Sequence, residues 1–367
     1  MLTLAQVMEH LEHIAPLYLA ESWDQVGLMI GQPTATIERL MTCLTITPDV
    51  VEEAIQKKAQ LIVSHHPVMF KPVKRLTTQQ PEGRLLLPLL KEGIAVYSAH
   101  TAYDNAVAGI NAQWAQRFGL AEVRPLVKAA TTPQCKIVVF VSASDVAKIS
   151  TALFAAGAGQ IGQYDSCSFR LAGTGTFRGN ENSNPTLGKK GHFEEVEEFR
   201  LEVLCPTSQL EHAITAVRQA HSYEEPAIDV YPLHNMAQGP GVGRLGRLPR
   251  SLPLKDLLNY WKNTFRLSWL QWVGDPDRII NTVAIVCGSG GSLLQAAIEA
   301  KADLFFTGEL RFHDMLAAKA AGLCLALPGH FVTERSGMEI MARQLQERLP
   351  ALTIWTSVAE HDPLLTI

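Results

Sequence analysis

The chain has 367 residues, of which 47% are hydrophobic and 19% are charged, and its formal net charge is −4. This length predicts two or more domains, and this apolar content excludes a largely disordered chain. The net charge disfavours binding to nucleic acid, which usually requires a basic face, but it leaves a local basic lining open.

The N-terminal part of the sequence predicts strands that alternate with helices. It opens with an amphipathic helix capped by Thr3, and the early basic cluster of a signal peptide is absent. The strands are expected at about 40–45, 61–63 and 94–97, and the helices at about 48–59, 84–91 and 106–118. Such alternation is typical of a largely parallel sheet with right-handed crossovers.

The middle of the chain has a different order of elements. The predicted strands are 136–141, 164–177, 199–204 and 227–231, and the predicted helices are 145–156 and 208–220. This βαββαβ order is that of the ferredoxin-like α+β fold. The glycine-rich segment 234–249 is a predicted linker.

The last third of the chain returns to alternating strands and helices. The predicted strands are 282–287, 304–307, 323–327 and 353–355, and the predicted helices are 292–300, 311–321 and 333–347. The fold class is therefore α/β. Two similar halves, 1–127 and 236–367, are expected to form one core domain around an inserted domain at 128–235.

Six histidines and carboxylates follow predicted strand ends, where open α/β sheets bind their ligands. They are His65, His66, His100, Asp104, His330 and Glu334. Each has an alternative interpretation when taken alone: a buried core histidine, a helix N-cap for Asp104, or a surface glutamate. Adjacent His65 and His66 are expected to point to opposite faces, which suits two metal ions better than one.

Six nitrogen and oxygen donors exceed what one tetrahedral zinc ion requires. They predict two divalent transition-metal ions per chain, and the candidates are Zn²⁺, Fe²⁺, Mn²⁺, Co²⁺ and Ni²⁺. Asp104 is the expected bridging ligand. Glu309 follows another strand end. It is a residue that supports a metal ligand from outside, a proton acceptor, or an exposed glutamate at a helix start.

Three other features bear on function. The turn Gly288-Ser289-Gly290-Gly291 is either a phosphate-binding loop or a packing turn, and it lacks the Walker A lysine. No Gly-x-Ser-x-Gly elbow is present, which argues against hydrolysis through a covalent intermediate. Six cysteines without Cys-x-x-Cys spacing indicate buried reduced thiols and a cytoplasmic protein, and no run of about 18 apolar residues predicts a membrane span.

Several motifs, taken in order, resemble those of a known family. They are Trp23-Asp24, Val26-Gly27-Leu28, Ser64-His65-His66-Pro67, His100-Thr101, Asp104-Asn105, Thr307-Gly308-Glu309, Gly329-His330 and Glu334. This set resembles the GTP cyclohydrolase 1 type 2 homologs, also called NGG-one-interacting-factor-three-like proteins. The segments 173–179 and 221–227 are similar to the PII-like or CutA-like insert of the longer family members.

The resemblance implies a dinuclear metal site and a toroidal homohexamer. By position, the implied ligands are His65, His66, Asp104, His330 and Glu334, and His100 is a ligand or a near neighbour. The expected function is a metal-dependent hydrolase acting on a nucleotide or a related heterocycle. The alternative is a non-catalytic metal-handling or regulatory scaffold protein whose PII-like insert senses a ligand.

Overall fold

A computed structural model describes residues 2–128, 134–162, 164–233 and 240–365 of a mixed α/β protein. Contacts divide the chain into two compact units, one formed by Met1–Ala129 with Ala237–Ile367 and the other by Ala130–Met236. None of the helices in these described ranges is long and apolar enough to cross a membrane.

The first part of the chain contains eight strands and five helices among the described residues. They are β1 (Leu2–Thr3), α1 (Leu4–Ile14), β2 (Gly27–Ile30), β3 (Thr36–Ile37), β4 (Arg39–Cys43), α2 (Pro48–Gln56), β5 (Leu61–Ser64), α3 (Pro81–Lys91), β6 (Ala95–Ser98), α4 (His100–Asn105), α5 (Ile110–Arg117), β7 (Ala121–Arg124) and β8 (Val127–Lys128). Thr3 caps α1 in a capping box with Gln6, as predicted, and the helix buries Leu4, Val7 and Leu11.

The helix predicted at 106–118 is wrong in its first turn. Helix α4 ends at Asn105, and α5 starts only at Ile110. Between them the backbone folds back so closely that a Cβ on Gly109 would lie 1.7 Å from the carbonyl oxygen of Tyr103. Asp104 therefore lies inside α4 and is not the N-cap of the following helix.

The unit Ala130–Met236 forms one four-stranded antiparallel sheet with two helices. Its elements are β9 (Gln134–Val141), α6 (Val146–Ala155), β10 (Phe169–Arg178), β11 (Phe193–Pro206), α7 (Leu210–Ala220) and β12 (Ile228–Pro232). The strand order is β10-β11-β9-β12. Residues such as Ile137, Leu153 and Val217 form its separate hydrophobic core.

The last part of the chain contains the remaining described elements. They are β13 (Gly241–Val242), β14 (Arg244–Pro253), α8 (Leu254–Thr264), β15 (Gln271–Val273), β16 (Ile279–Ser289), α9 (Leu294–Glu299), β17 (Leu304–Glu309), α10 (Phe312–Ala320), β18 (Cys324–Leu327), α11 (His330–Arg348) and β19 (Thr353–Thr356). The linker predicted at 234–249 is wrong over its second part, because β13 and β14 pair with other strands. Residues 234–239 lie outside the described residues.

The two larger sheets exchange strands between the two halves of the chain. One sheet has the order β19-β4-β5-β6-β2, and all of its neighbouring pairs are parallel except the one formed by β2. The other has the order β15-β18-β17-β16-β14-β7, with only β16, β17 and β18 parallel. Strand β19 thus completes the sheet of the first half, and β7 completes that of the second.

Helix α11 connects these two sheets. It contacts β4 and β19 of the first sheet and β16 and β17 of the second, and it buries Met338, Met341 and Leu345. Its first turns therefore lie near the carboxyl end of β5 as well as that of β18, and this position brings the C-terminal donors to the histidine pair.

Candidate metal centre

The six predicted ligands come together from three segments of the unit that contains both larger sheets. His65 and His66 follow β5, and His100 and Asp104 lie on α4, which begins directly after β6. His330 is the first residue of α11, and Glu334 lies one turn later on the same helix face.

The Glu334 carboxylate lies at the centre of the group. Its Oε2 is 2.9 Å from His330 Nε2, 3.0 Å from His66 Nε2 and 3.8 Å from His65 Nε2. Asp104 Oδ1 is 3.7 Å from His65 Nε2. Glu334 is thus the carboxylate that contacts the most histidines of the group, while Asp104 faces His65, and the bridging role expected of Asp104 stays a prediction.

Two sets of three donor atoms, each within 4.8 Å of one another, could hold a metal ion. One set is His65, His66 and His100, and the other is His66, His330 and Glu334. The rings of His65 and His66 converge, with centroids 5.1 Å apart, so the prediction that they point to opposite faces is also wrong. Strand alternation ends with β5, and the two residues after it no longer follow that rule.

Several buried polar atoms in this group lack a hydrogen-bond partner among the described residues, as expected for atoms that bind a cation. Both ring nitrogens of His65 and Oδ1 of Asp104 are buried and lack a hydrogen-bond partner among the described residues. A buried polar atom left unpaired costs about 1–3 kcal/mol. Imidazole nitrogen and carboxylate oxygen are ligands for divalent transition metals, and a bound ion would satisfy Asp104 Oδ1 and one ring nitrogen of His65.

Three side chains orient the candidate ligands from outside. Thr45 Oγ1 lies 2.7 Å from His66 Nδ1, and Glu309 Oε1 lies 3.1 Å from His330 Nδ1. Both carboxylate oxygens of Asp24 lie 2.8 Å from His100 Nδ1. Contacts of this kind fix which ring nitrogen faces a metal.

Two of these three orienting residues were not assigned this role from the sequence. Asp24 was identified only as part of a family motif, and Thr45 was not identified as a site residue. The sequence signal for Asp24 is its position beside Trp23 in a family motif, whereas Thr45 carries no comparable signal.

The charges in the group strongly influence one another. Burial acts to raise the pKa of Glu334, but hydrogen bonds with His330 and His66 and the charge of His330 hold it well below its usual range. The hydrogen bond with Glu334 raises the pKa of His330 to about 9 despite burial. Burial and the Glu334 charge raise the pKa of Asp104, and burial lowers that of His65.

A cavity of about 920 Å³ opens beside these donors. His66, His100, Asp104, His330 and Glu334 all line it. Two largely exposed aromatic rings also line the cavity and lie edge-on to His100, with centroid distances of 6.0 Å for Trp23 and 5.4 Å for Phe70. The site therefore combines polar donors with flat apolar surfaces that suit a heterocyclic ring.

The glycine turn after β16 packs against the candidate ligands. The Gly288 N–H donates to Thr333 Oγ1, and the Gly290 N–H donates to Thr307 Oγ1. A Cβ on Gly288 would lie 2.0 Å from Glu334 Oε1. These contacts favour the packing-turn interpretation, because two of the N–H groups that a phosphate would need already have partners.

Known proteins resemble the chain over nearly its whole length. The family described as Duf34/NIF3 (NGG1p interacting factor 3) matches residues 2–363. The "GTP cyclohydrolase 1 type 2 homolog" of Bacillus subtilis is 36% identical over 362 residues, or 98% of this chain and 97% of that protein. The homolog of the same name from Halalkalibacterium halodurans is 35% identical over 346 residues, or 94% and 92% of the two chains.

Solved structures agree with this similarity. A Bacillus cereus protein related to NIF3 matches with a TM-score of 0.74 and 33% identity, over 100% of this chain and 99% of that one. Staphylococcus aureus protein SA1388 matches with a TM-score of 0.78 and 26% identity over the same shares of the two chains. The resemblance predicted from the motifs is confirmed, and the chain belongs to the Duf34/NIF3 family.

Proposed function

We propose that this protein is a metal-dependent hydrolase with a dinuclear centre that acts on a nucleotide or a related heterocycle. The main support is the pair of donor sets that share His66, whose members other than the buried His65 line one cavity. The names of the relatives from Bacillus subtilis and Halalkalibacterium halodurans, GTP cyclohydrolase 1 type 2 homolog, agree with this reaction class.

In this proposal the six predicted ligands would hold two divalent transition-metal ions. Bound divalent ions supply Lewis acidity, which makes a water molecule a stronger nucleophile at neutral pH. The chain itself orients His66 through Thr45 and His100 through Asp24.

Glu309 has a second role in the proposal. Its carboxylate is about half exposed and contacts His330 Nδ1, so it can both orient that ring and accept a proton. Trp23 and Phe70 supply flat surfaces for a heterocyclic substrate.

The proposal also covers the assembly and the insert. We propose a homohexamer, by the family resemblance, and a ferredoxin-like, PII-like domain at 128–235. The observed order of β9, α6, β10, β11, α7 and β12 supports that domain. All six cysteines are free, which supports a reducing compartment such as the cytoplasm.

Metal analysis followed by an activity panel tests the function. Protein purified without chelator is expected to contain two metal ions per chain, and His66→Ala, which removes a donor common to both sets, should lower that content most. The metal-loaded protein should hydrolyse at least one nucleotide in a panel that includes GTP. Full metal content without any turnover would instead favour the metal-handling scaffold.

A further inference from the structure

A second cavity lies wholly within the unit Ala130–Met236. It has a volume of about 380 Å³ and is bounded by β10, β11, the loop 179–187 and the segment 223–227. Its lining includes three aromatic rings and three carboxylates: Phe140, Phe177, Tyr223, Glu198, Glu224 and Glu225. No lysine, arginine or histidine lines it in the described part of the chain.

A strand glycine makes room for one of these carboxylates. A Cβ on Gly175 of β10 would lie 2.1 Å from Glu198 Oε2, so the carboxylate occupies the space that a side chain would fill. Glycine inside a strand weakens it, and it often marks a close approach of this kind. The ion pairs of this unit use Glu202 and Glu225, and no described cation pairs with Glu198.

The Tyr223 hydroxyl lies beside the Glu198 carboxylate at the same cavity. Burial and then the neighbouring Glu198 carboxylate raise the pKa of Tyr223 well above its usual value, so the hydroxyl stays protonated. Glu198 therefore has a neutral hydroxyl as a neighbour, but its negative charge has no cation among the described residues.

The loop over the cavity is held closed by two hydrogen bonds. The Asn184 N–H donates to Glu224 Oε2 at 2.7 Å, and Thr186 Oγ1 donates to the carbonyl oxygen of Ser222 at 2.7 Å. These contacts make the loop a wall of the cavity, and they use the Glu224 carboxylate while leaving Glu198 without an ion pair among the described residues.

We propose that this cavity binds a small organic cation, an amine or a guanidine carried on a flat apolar body. A cation is attracted both by the carboxylates and by the faces of aromatic rings. A metal ion fits less well, because the two donor sets able to hold one both lie in the other unit among the described residues. The inference does not depend on the proposed hydrolase.

Three ligands with one ring system test the charge requirement on the full chain. Tryptamine, its alcohol tryptophol and the anion indole-3-propionate share an indole body and differ in the end group. By isothermal titration calorimetry, tryptamine should bind at least tenfold more tightly than tryptophol, and indole-3-propionate should not bind. Equal affinities, or no tryptamine binding up to millimolar concentration, would overturn the proposal.

Matched variants locate the site. Glu198→Gln should weaken tryptamine binding about tenfold or more, as expected for the loss of a charge-assisted bond. Glu197→Gln, on the opposite face of β11, should leave it unchanged. Glu334→Gln should also keep wild-type tryptamine affinity, and a loss there would place the amine at the metal centre and refute the assignment. Displacement of tryptamine by Mg²⁺ alone would refute it as well.

Discussion

Replacing Asp24 with asparagine tests how the chain orients His100. The Asp24 side chain is fully buried, and one of its oxygens also accepts hydrogen bonds from the backbone N–H and the hydroxyl of Thr101. An asparagine has one acceptor oxygen where the carboxylate has two. The other oxygen accepts from the backbone N–H of Gln25, so whichever way the amide is placed, its NH₂ group opposes a backbone N–H, that of Gln25 or that of Thr101.

The two placements have different consequences for metal binding. If the amide oxygen serves Thr101, the NH₂ group opposes the Gln25 N–H and replaces one of the two acceptors at His100 Nδ1 by a donor, which weakens the preference for the ring proton on Nδ1 that leaves Nε2 free for a metal. If the oxygen serves His100, two donors oppose each other at Thr101 at a cost of about 1–3 kcal/mol. Loss of such an orienting contact typically weakens metal affinity about 10–100-fold, or about 1.4–2.7 kcal/mol.

The effect should be confined to one ion. His100 belongs to the donor set with His65 and His66 and not to the set with His330 and Glu334. Zn²⁺ titration of chelator-treated Asp24→Asn by calorimetry should therefore show one weakened site and one unchanged site. Asp256→Asn, an exposed position on α8, is the control. Wild-type affinity at both sites, with an unchanged circular-dichroism spectrum, would refute the orienting role of Asp24.

Three further outcomes are expected. Asp104→Asn should abolish turnover of any active nucleotide while the circular-dichroism spectrum stays the same; retained turnover would remove Asp104 from the reaction. Burial acts to raise the pKa of Glu53, but its hydrogen bond with Lys57 lowers it, so the charge stabilises the fold above about pH 4.5 and less as the pH falls. In urea unfolding, Glu53→Gln should lower the free energy of unfolding by about 1–3 kcal/mol at pH 7, and this difference from wild type should shrink on acidification. A difference that does not change with pH, or an equal one in the exposed Glu52→Gln, would contradict this. Replacing 128–235 by a short linker should leave metal content unchanged, and a folded deletion variant without metal would show that the insert completes the site.

Local sequence patterns were sufficient for most strands and helices and for the set of candidate ligands. The capping box of α1 and the strand before His65 both depend on neighbours within a few residues. Histidines after strand ends converge because parallel strands end at one edge of a sheet. The local rules therefore predicted which side chains would meet.

These local rules do not predict which strands pair when the strands lie far apart in the sequence. Strand β19 joins β4 across more than 300 residues of sequence, and β7 joins the sheet of the second half. The break before α5 depends on the contact of Gly109 with Tyr103, and Asp24 meets His100 from 76 positions away. Such contacts are fixed by packing between distant segments, so periodicity and spacing carry little information about them.

The candidate centre is also where the sequence departs from rules for stability. His65 is completely buried, and neither of its ring nitrogens has a partner among the described residues. Folding stability alone would favour an apolar residue there, since each unpaired buried group carries a cost. The same applies to Asp104, whose buried oxygen lies near a second carboxylate, Glu334. Local violations of this kind are expected at functional sites, and a cation held between these groups would resolve both.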